Sequence, residues 1–174
     1  MAEIMDIYDG SRAKTGKTHI RGSKRRPGEY VLVVMVLIFN TKGEMLIQQR
    51  PKHVGWEPGM WSMTAGGAVM AGETPAAAAK RELFEELGIE MDFTNRCPKF
   101  AMTSPNTFID YFLVRTDIEL AALNVPNNEV AAVKWASKKD MLALIDKGQC
   151  ISYRKSFLEF CFDCADMRES TIVK

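Results

Sequence analysis

The sequence predicts an α/β fold, with a mixed β-sheet between helices. Three observations predict it. Tyr30–Phe39 (YVLVVMVLIF) is apolar on both faces and rich in β-branched residues, the pattern of a central strand. A glycine loop, Gly66 to Gly72, leads into a helical pattern of alanines and leucines suited to packing on a sheet. Two more helical patterns follow the last strand, so helices are available to cover both faces.

The elements can be justified in order. Ile4-Met5-Asp6-Ile7-Tyr8 and Thr18-His19-Ile20 alternate around an Asp9-Gly10 turn; they predict a small N-terminal hairpin within about residues 1–27. His19 is expected on the surface of that hairpin, with nothing near it to pair with. Arg21–Arg26 (RGSKRR) is a local basic cluster, expected to be a solvated loop. After the central strand, Asn40-Thr41-Lys42-Gly43 turns the chain and Met45–Gln49 (MLIQQ) returns, ending at Arg50. Residues 51–60 hold two prolines and two glycines and form a loop; Trp56 and Trp61 flank it, and Trp61 is expected in the core. Trp61 to Gly67 leads as a short strand into the glycine loop.

Thr74-Pro75 is a helix start, a hydroxyl N-cap with proline at the first helical position, and Gly88 is a stop. They bound a helix of about 13 residues. Beyond it, Ile89–Phe93, Phe100–Ser104 and Phe108–Arg115 read as strands, and Asp117–Leu123 has no clear pattern. Pro126-Asn127-Asn128 is a loop and Glu129–Trp135 the last strand. Ser137 to Asp140 resembles a capping box, opening a helix that ends at Lys147-Gly148. Residues 152–168 predict a third helix with Phe157, Phe160, Cys161 and Cys164 as its apolar stripe.

The helix after the glycine loop carries its acids in an unusual place. Glu82, Glu85 and Glu86 lie in its last two turns, facing the negative end of the helix dipole and one another. A divalent cation would reverse the sign of that arrangement, and carboxylate oxygens suit Mg²⁺, Mn²⁺ or Ca²⁺. Ala76, Ala79, Leu83 and Leu87 form a core stripe, so one face is expected to be anchored and the opposite one to present the oxygens.

Gly67, Glu73, Arg81-Glu82-Leu83, Glu85-Glu86 and Gly88-Ile89 stand at spacings that resemble the Nudix box without a departure, nine specified positions in 23 residues. The resemblance implies an α/β/α sandwich and a Mg²⁺-dependent hydrolase, with Mn²⁺ as a substitute ion, that cuts a diphosphate linked to another group. It implies Glu82 and Glu86 as the stronger metal ligands, Glu85 close behind, and the Gly66 carbonyl completing the set. Arg81 and Glu73 are expected to pair and brace the loop on the helix. The general base is a box glutamate or Glu129, at the start of the last strand; an ordinary loop-end acid is the other reading of Glu129. Arg50 matches a family position that touches substrate phosphate, and reads equally as an exposed strand-end charge. Loops around 51–60, 102–109 and 124–129 are expected to read the attached group through Trp56 and Phe108, whose rings serve stacking or packing alike. A nucleoside di- or triphosphate derivative is the favoured substrate class.

More loosely, most of the chain resembles the isopentenyl-diphosphate isomerase branch of the family. Gly66 and Ala68 stand where that branch places a catalytic cysteine and a metal-binding histidine, so isomerisation is disfavoured. A non-catalytic nucleotide sensor is the other alternative, and the intact box argues for catalysis.

Bulk properties bound the rest. A chain of 174 residues, 47% hydrophobic and 26% charged, suits one domain with a sizeable core. A net charge of +1 gives no pull towards nucleic acid or membrane. The acidic start MAEIMDIYDG lacks a secretory apolar segment, and no apolar run is long enough to span a membrane. The four cysteines have no disulfide-framework density, and Cys161 and Cys164 read as buried thiols, which points to the cytoplasm. The N-terminal hairpin offers an edge through which a homodimer could pair.

Overall fold

The protein is described from a computed structural model covering residues 3–166. It is α/β, with a mixed sheet and three helices. The strands are β1 (Ile4–Tyr8), β2 (Lys14–Ile20), β3 (Val31–Phe39), β4 (Met45–Gln49), β5 (Trp61–Ser62), β6 (Ala65–Ala68), β7 (Phe100–Ser104), β8 (Thr107–Arg115) and β9 (Ala132–Ala136). The helices are α1 (Pro75–Leu87), α2 (Lys138–Asp146) and α3 (Lys155–Asp166), with a 3-10 turn at Leu120–Ala122. The main sheet runs β5-β4-β3-β8-β7, with β6 on β3 and β9 on β4. Central β3 is buried on both faces, as its composition requires. Two compact units divide the chain, and β3, β6, α1 and β8 each contribute residues to both.

The first unit comprises, of the described residues, 3–36, 66–85 and 90–112. β1 and β2 pair antiparallel, Ile4 opposite Ile20. The free edge of β1 takes up the loop before α1: Ala71 N–H donates to the Ile4 carbonyl at 2.8 Å, and Met5 bridges Met70. Met5, Val31 and Ala68 pack beneath this junction. β7 and β8 turn on Pro105-Asn106 alone, with Ser104 paired to Thr107. Residues 102–109 are therefore mostly ladder and not the open loop expected. No strand forms over 89–93 either. Phe93 is buried edge-on against Phe112, and the Asp92 carboxylate takes the Thr94 N–H and hydroxyl in a local turn.

His19 is not the unpartnered surface residue expected. It is 6% exposed, with Nδ1 3.2 Å from the Ser23 hydroxyl and Nε2 3.2 Å from Arg25. The Ser23 hydroxyl donates to the Ile20 carbonyl, so His19 Nδ1 donates to it and Nε2 accepts from Arg25. Burial, then the Arg25 charge, hold this imidazole below its usual range.

The second unit comprises, of the described residues, 37–65, 86–89 and 113–166. β4 and β9 pair antiparallel from Met45–Ala136 to Gln49–Ala132. β9 starts three residues later than expected because the Asn127 side chain takes the N–H groups of Glu129 and Val130, both at 2.8 Å. Those groups are then lost to any ladder. The capping box of α2 is present, with Ser137 and Asp140 bonding reciprocally. α3 buries Leu158, Cys161, Phe162, Cys164 and Ala165. Phe160 is 44% exposed, contrary to its place in the expected stripe, because Phe162 turns inward and packs edge-on against Phe39. Positions 167 and 168 of that expected helix lie outside the described residues. Burial pushes the Cys161 thiol up to about 12. Trp61 is half-buried, not core, and Lys134 Nζ lies over its ring at 4.3 Å. Among the described residues no helix is long and apolar enough to cross a membrane.

The expected single strand from Trp61 to Gly67 is split into β5 and β6 at Met63-Thr64. There the fully buried Thr64 hydroxyl donates to the Leu46 carbonyl at 2.5 Å and accepts from the Ile38 N–H at 3.0 Å. Thr64→Val keeps the volume and strands both backbone groups. It is expected to cost about 1–3 kcal/mol in urea unfolding, the cost of buried groups left without partners.

Candidate active site

Helix α1 is fixed at both ends by local chemistry. Thr74 Oγ1 accepts the Ala77 N–H at 3.2 Å, and Pro75 occupies the first helical position. Gly88, at φ 72°, ends the helix. The last turn has no basic residue, and its carbonyls are met from elsewhere. Asn124 N–H donates to the Leu87 carbonyl at 3.1 Å and Asn127 Nδ2 to the Glu86 carbonyl at 2.9 Å.

The buried residues of α1 are Ala78, Ala79, Glu82, Leu83, Glu86 and Leu87. At about 100° per residue these form one continuous arc of roughly 180°. Glu82 and Glu86, each 8% exposed, therefore lie within the anchored side and not opposite the apolar stripe as expected. Both carboxylates have polar neighbours there, so burial does not strand them. Glu85 alone points outward.

Arg81 organises the charges in the first unit. Its Nε and one Nη2–H clasp both oxygens of Glu73 at 3.0 and 2.9 Å. Nη1 reaches Glu82 Oε1 at 2.7 Å and Glu85 Oε2 at 3.0 Å, and Nη2 also reaches the Ala68 carbonyl at 2.8 Å. Five donors make five bonds, the full capacity of a guanidinium. These bonds, Glu73 foremost, push Arg81 above its already high range, so it stays cationic. Glu73 Oε2 also accepts the Met70 N–H at 3.0 Å. Loop and helix are thus tied through one side chain, and β1 holds the loop from outside. Asp6 Oδ2 accepts the Gly72 N–H at 2.9 Å and the Lys14 ammonium at 2.6 Å, and these bonds, that to Lys14 first, hold Asp6 below the usual carboxylate range.

The paired glycines are demanded by close approach. A Cβ on Gly67 would land on the Glu82 carboxylate, and one on Gly66 would meet the Met35 sulfur and lie 2.6 Å from the Val34 carbonyl. The Glu82 carboxylate therefore rests against the bare backbone of β6.

In the second unit Glu86 meets two amides. Gln48, 4% exposed in β4, donates Nε2–H to Glu86 Oε2 at 2.7 Å. Asn127 holds the Glu86 carbonyl while its own carbonyl fixes Glu129 N–H. Neither Gln48 nor Asn127 was singled out from the sequence. A glutamine inside an otherwise apolar buried strand was the available signal for the first; nothing local marks the second. The loops 51–60 and 124–130 meet where His53 Nε2 lies 3.1 Å from the Asn128 carbonyl.

Arg50 and Trp56 come together: Arg50 Nε donates to the Trp56 carbonyl at 2.9 Å, and its guanidinium lies 5.1 Å from the indole centroid. Trp56 is 60% exposed. Glu129 is exposed beside the same loop junction. Phe108 is not available as a substrate contact. It is 3% exposed, stacked on Tyr30 at 4.6 Å and covered by Arg12, which in turn pairs with buried Asp110 at 2.7 Å. Its hydrophobic area is spent on the core. Among the described residues no three His, Cys, Asp or Glu side chains converge as a ready-made metal cage. The carboxylates of α1 are hard oxygen donors, and the glycine cradle brings one of them against backbone, which fits a hard cation that takes few protein ligands.

Comparison with known proteins identifies the family. The NUDIX domain model matches residues 29–154. An uncharacterised Nudix hydrolase of Listeria monocytogenes is 42% identical over 152 residues, 87% of this chain and 89% of its own. An isopentenyl-diphosphate Delta-isomerase of Streptomyces coelicolor is 35% identical over 88 residues, 51% of this chain and 45% of its own. The crystal structure of a Deinococcus radiodurans protein shares the fold, with a TM-score of 0.75 at 23% identity over 91% of this chain and 99% of that one. The glycine cradle, the Arg81 clasp and the acidic end of α1 therefore sit in a chain that belongs to the Nudix family and is one of its hydrolases.

Proposed function

We propose that this hydrolase is a Mg²⁺-dependent pyrophosphohydrolase acting on a diphosphate linked to another group, with nucleoside di- and triphosphate derivatives as the favoured class. The observation that carries it is the placement of Glu82 and Glu86, two buried carboxylates on one helix, one of them resting on the bare backbone of β6. Glu82 and Glu86 would hold the ion, with Glu85 and the Gly66 carbonyl beside them. When bound, the ion neutralises phosphoryl oxygens and activates water. A cation that keeps several waters and shares substrate phosphates needs only one or two carboxylates, in keeping with the lack of a closed cage.

The remaining steps belong to the chain's own residues. Arg81, fully bonded and permanently charged, keeps Glu82 and Glu85 in place and draws the loop at Ala68 onto the helix. Glu129, exposed and fixed through its own backbone by Asn127, would accept the proton of the attacking water as the P–O bond to the leaving phosphate breaks. Arg50 would bind phosphate, and the exposed Trp56 indole would stack on the attached group. Isomerisation of isopentenyl diphosphate is the weaker reading, because the backbone at Gly66 has no room for a side chain. A cytoplasmic location is supported by the absence of disulfides among the described cysteines.

The defining experiment is hydrolysis of a panel of nucleoside diphosphates, nucleoside triphosphates, nucleotide sugars and prenyl diphosphates, with and without Mg²⁺. Release of phosphate or pyrophosphate only with Mg²⁺ is expected; isomerised product without hydrolysis would overturn the reading. Gly67→Ala displaces the Glu82 carboxylate and is expected to lower kcat/KM by about 10²-fold, the scale of an ångström's misplacement, with the protein still folded by circular dichroism. Glu129→Gln is expected to lower kcat by about 10²-fold or more with KM near the native value. An unchanged kcat would move the base to a box glutamate.

A further inference from the structure

Gln48 is a polar residue where an apolar one would be cheaper. Met45, Leu46 and Ile47 before it in β4 have no exposure at all, and Gln48 has 4%. A buried amide is costly unless both its ends are bonded. One end is: Nε2 donates to Glu86 Oε2 at 2.7 Å. The other is not, for Gln48 Oε1 is a buried side-chain oxygen without a partner among the described residues. Turning the amide over would not help. It would set two acceptors, Oε1 and the carboxylate, against each other and leave the N–H₂ stranded instead. The Glu86 carboxylate therefore fixes the amide, and the fixed amide holds out an acceptor to which no described residue brings a donor. Methionine or leucine would fill the position without that cost.

The missing donor is one that a bound divalent cation would carry. A hydrated ion held by Glu86 brings water molecules whose O–H groups must find acceptors, and a neutral amide oxygen satisfies them without adding charge. We propose that Gln48 is a positioning residue: its N–H sets Glu86, and its Oε1 accepts a hydrogen bond from a water in the shell of the cation that Glu86 holds. This rests on the metal reading of Glu86 given above and assigns a role to a residue outside the Nudix box.

The test measures Mn²⁺ binding by calorimetry without substrate, and separately the Mg²⁺ concentration that gives half-maximal hydrolysis. Gln48→Met is expected to weaken Mn²⁺ binding about 10–100-fold, the usual effect of losing a group that orients a ligand. The half-maximal Mg²⁺ concentration should rise in step, so that excess Mg²⁺ restores activity. The melting temperature of the metal-free protein should stay near the native one or rise, because the unbonded oxygen is gone. A purely structural glutamine gives the reverse, a lower melting temperature with Mn²⁺ affinity within twofold of native, and that result overturns the proposal. Gln48→Leu serves in the same way if the methionine variant does not fold. Glu86→Gln separates the two levels. If it leaves Mn²⁺ binding intact, the metal reading itself fails; if it abolishes binding while Gln48→Met does not change it, only the role of Gln48 fails.

Discussion

One guanidinium carries the electrostatics of the first unit. Glu73, Glu82 and Glu85 converge on Arg81, and the Ala68 carbonyl takes its last donor. Grouping acids at the end of a helix runs against the dipole, and burying them adds a desolvation cost. Such a cluster persists only when every proton and lone pair is well placed, and a planar fork of five donors can do that where an ammonium cannot. The loop and its glycines follow from this. Glu82 can reach Arg81 from within the buried arc only because β6 carries no Cβ at Gly67 in its path.

Glu86 is treated differently. Two amides hold it, Gln48 at the carboxylate and Asn127 at the carbonyl. Arg81 thus faces three carboxylates with a single positive charge, and the amides add none. Amides position a carboxylate without neutralising it.

Much of this was legible in the sequence where the determinant is local. Thr74-Pro75 and Gly88 bounded α1 correctly, because caps act within a turn. Tyr30–Phe39 read as a central strand because burial on both faces leaves no polar alternation. The Ser137–Asp140 box was equally plain. What escaped depends on distant partners. The side of α1 that buries Glu82 and Glu86 is decided by Arg81, β6 and Gln48, not by the alanine stripe alone. Phe108 looked like a ligand contact in a loop because nothing nearby reveals Arg12 and Tyr30 on its ring, 96 and 78 positions earlier. His19 looked idle because its partners follow it around a turn that composition marks only as basic.

The clasp between β1 and the box loop has a bearing on the order of assembly. Asp6 and Gly72 lie 66 positions apart, and Ile4 and Ala71 are as distant. A chain made from its N-terminus presents β1 long before the residues it must hold. β2 is close enough to pair with β1 at once, by a short closure of low entropic cost. The second edge of β1 is completed in stages, at Tyr8 by Tyr30 and at Ile4 only when Ala71 emerges. The hairpin is thus made early, and the loop before α1 is the later element that docks on it.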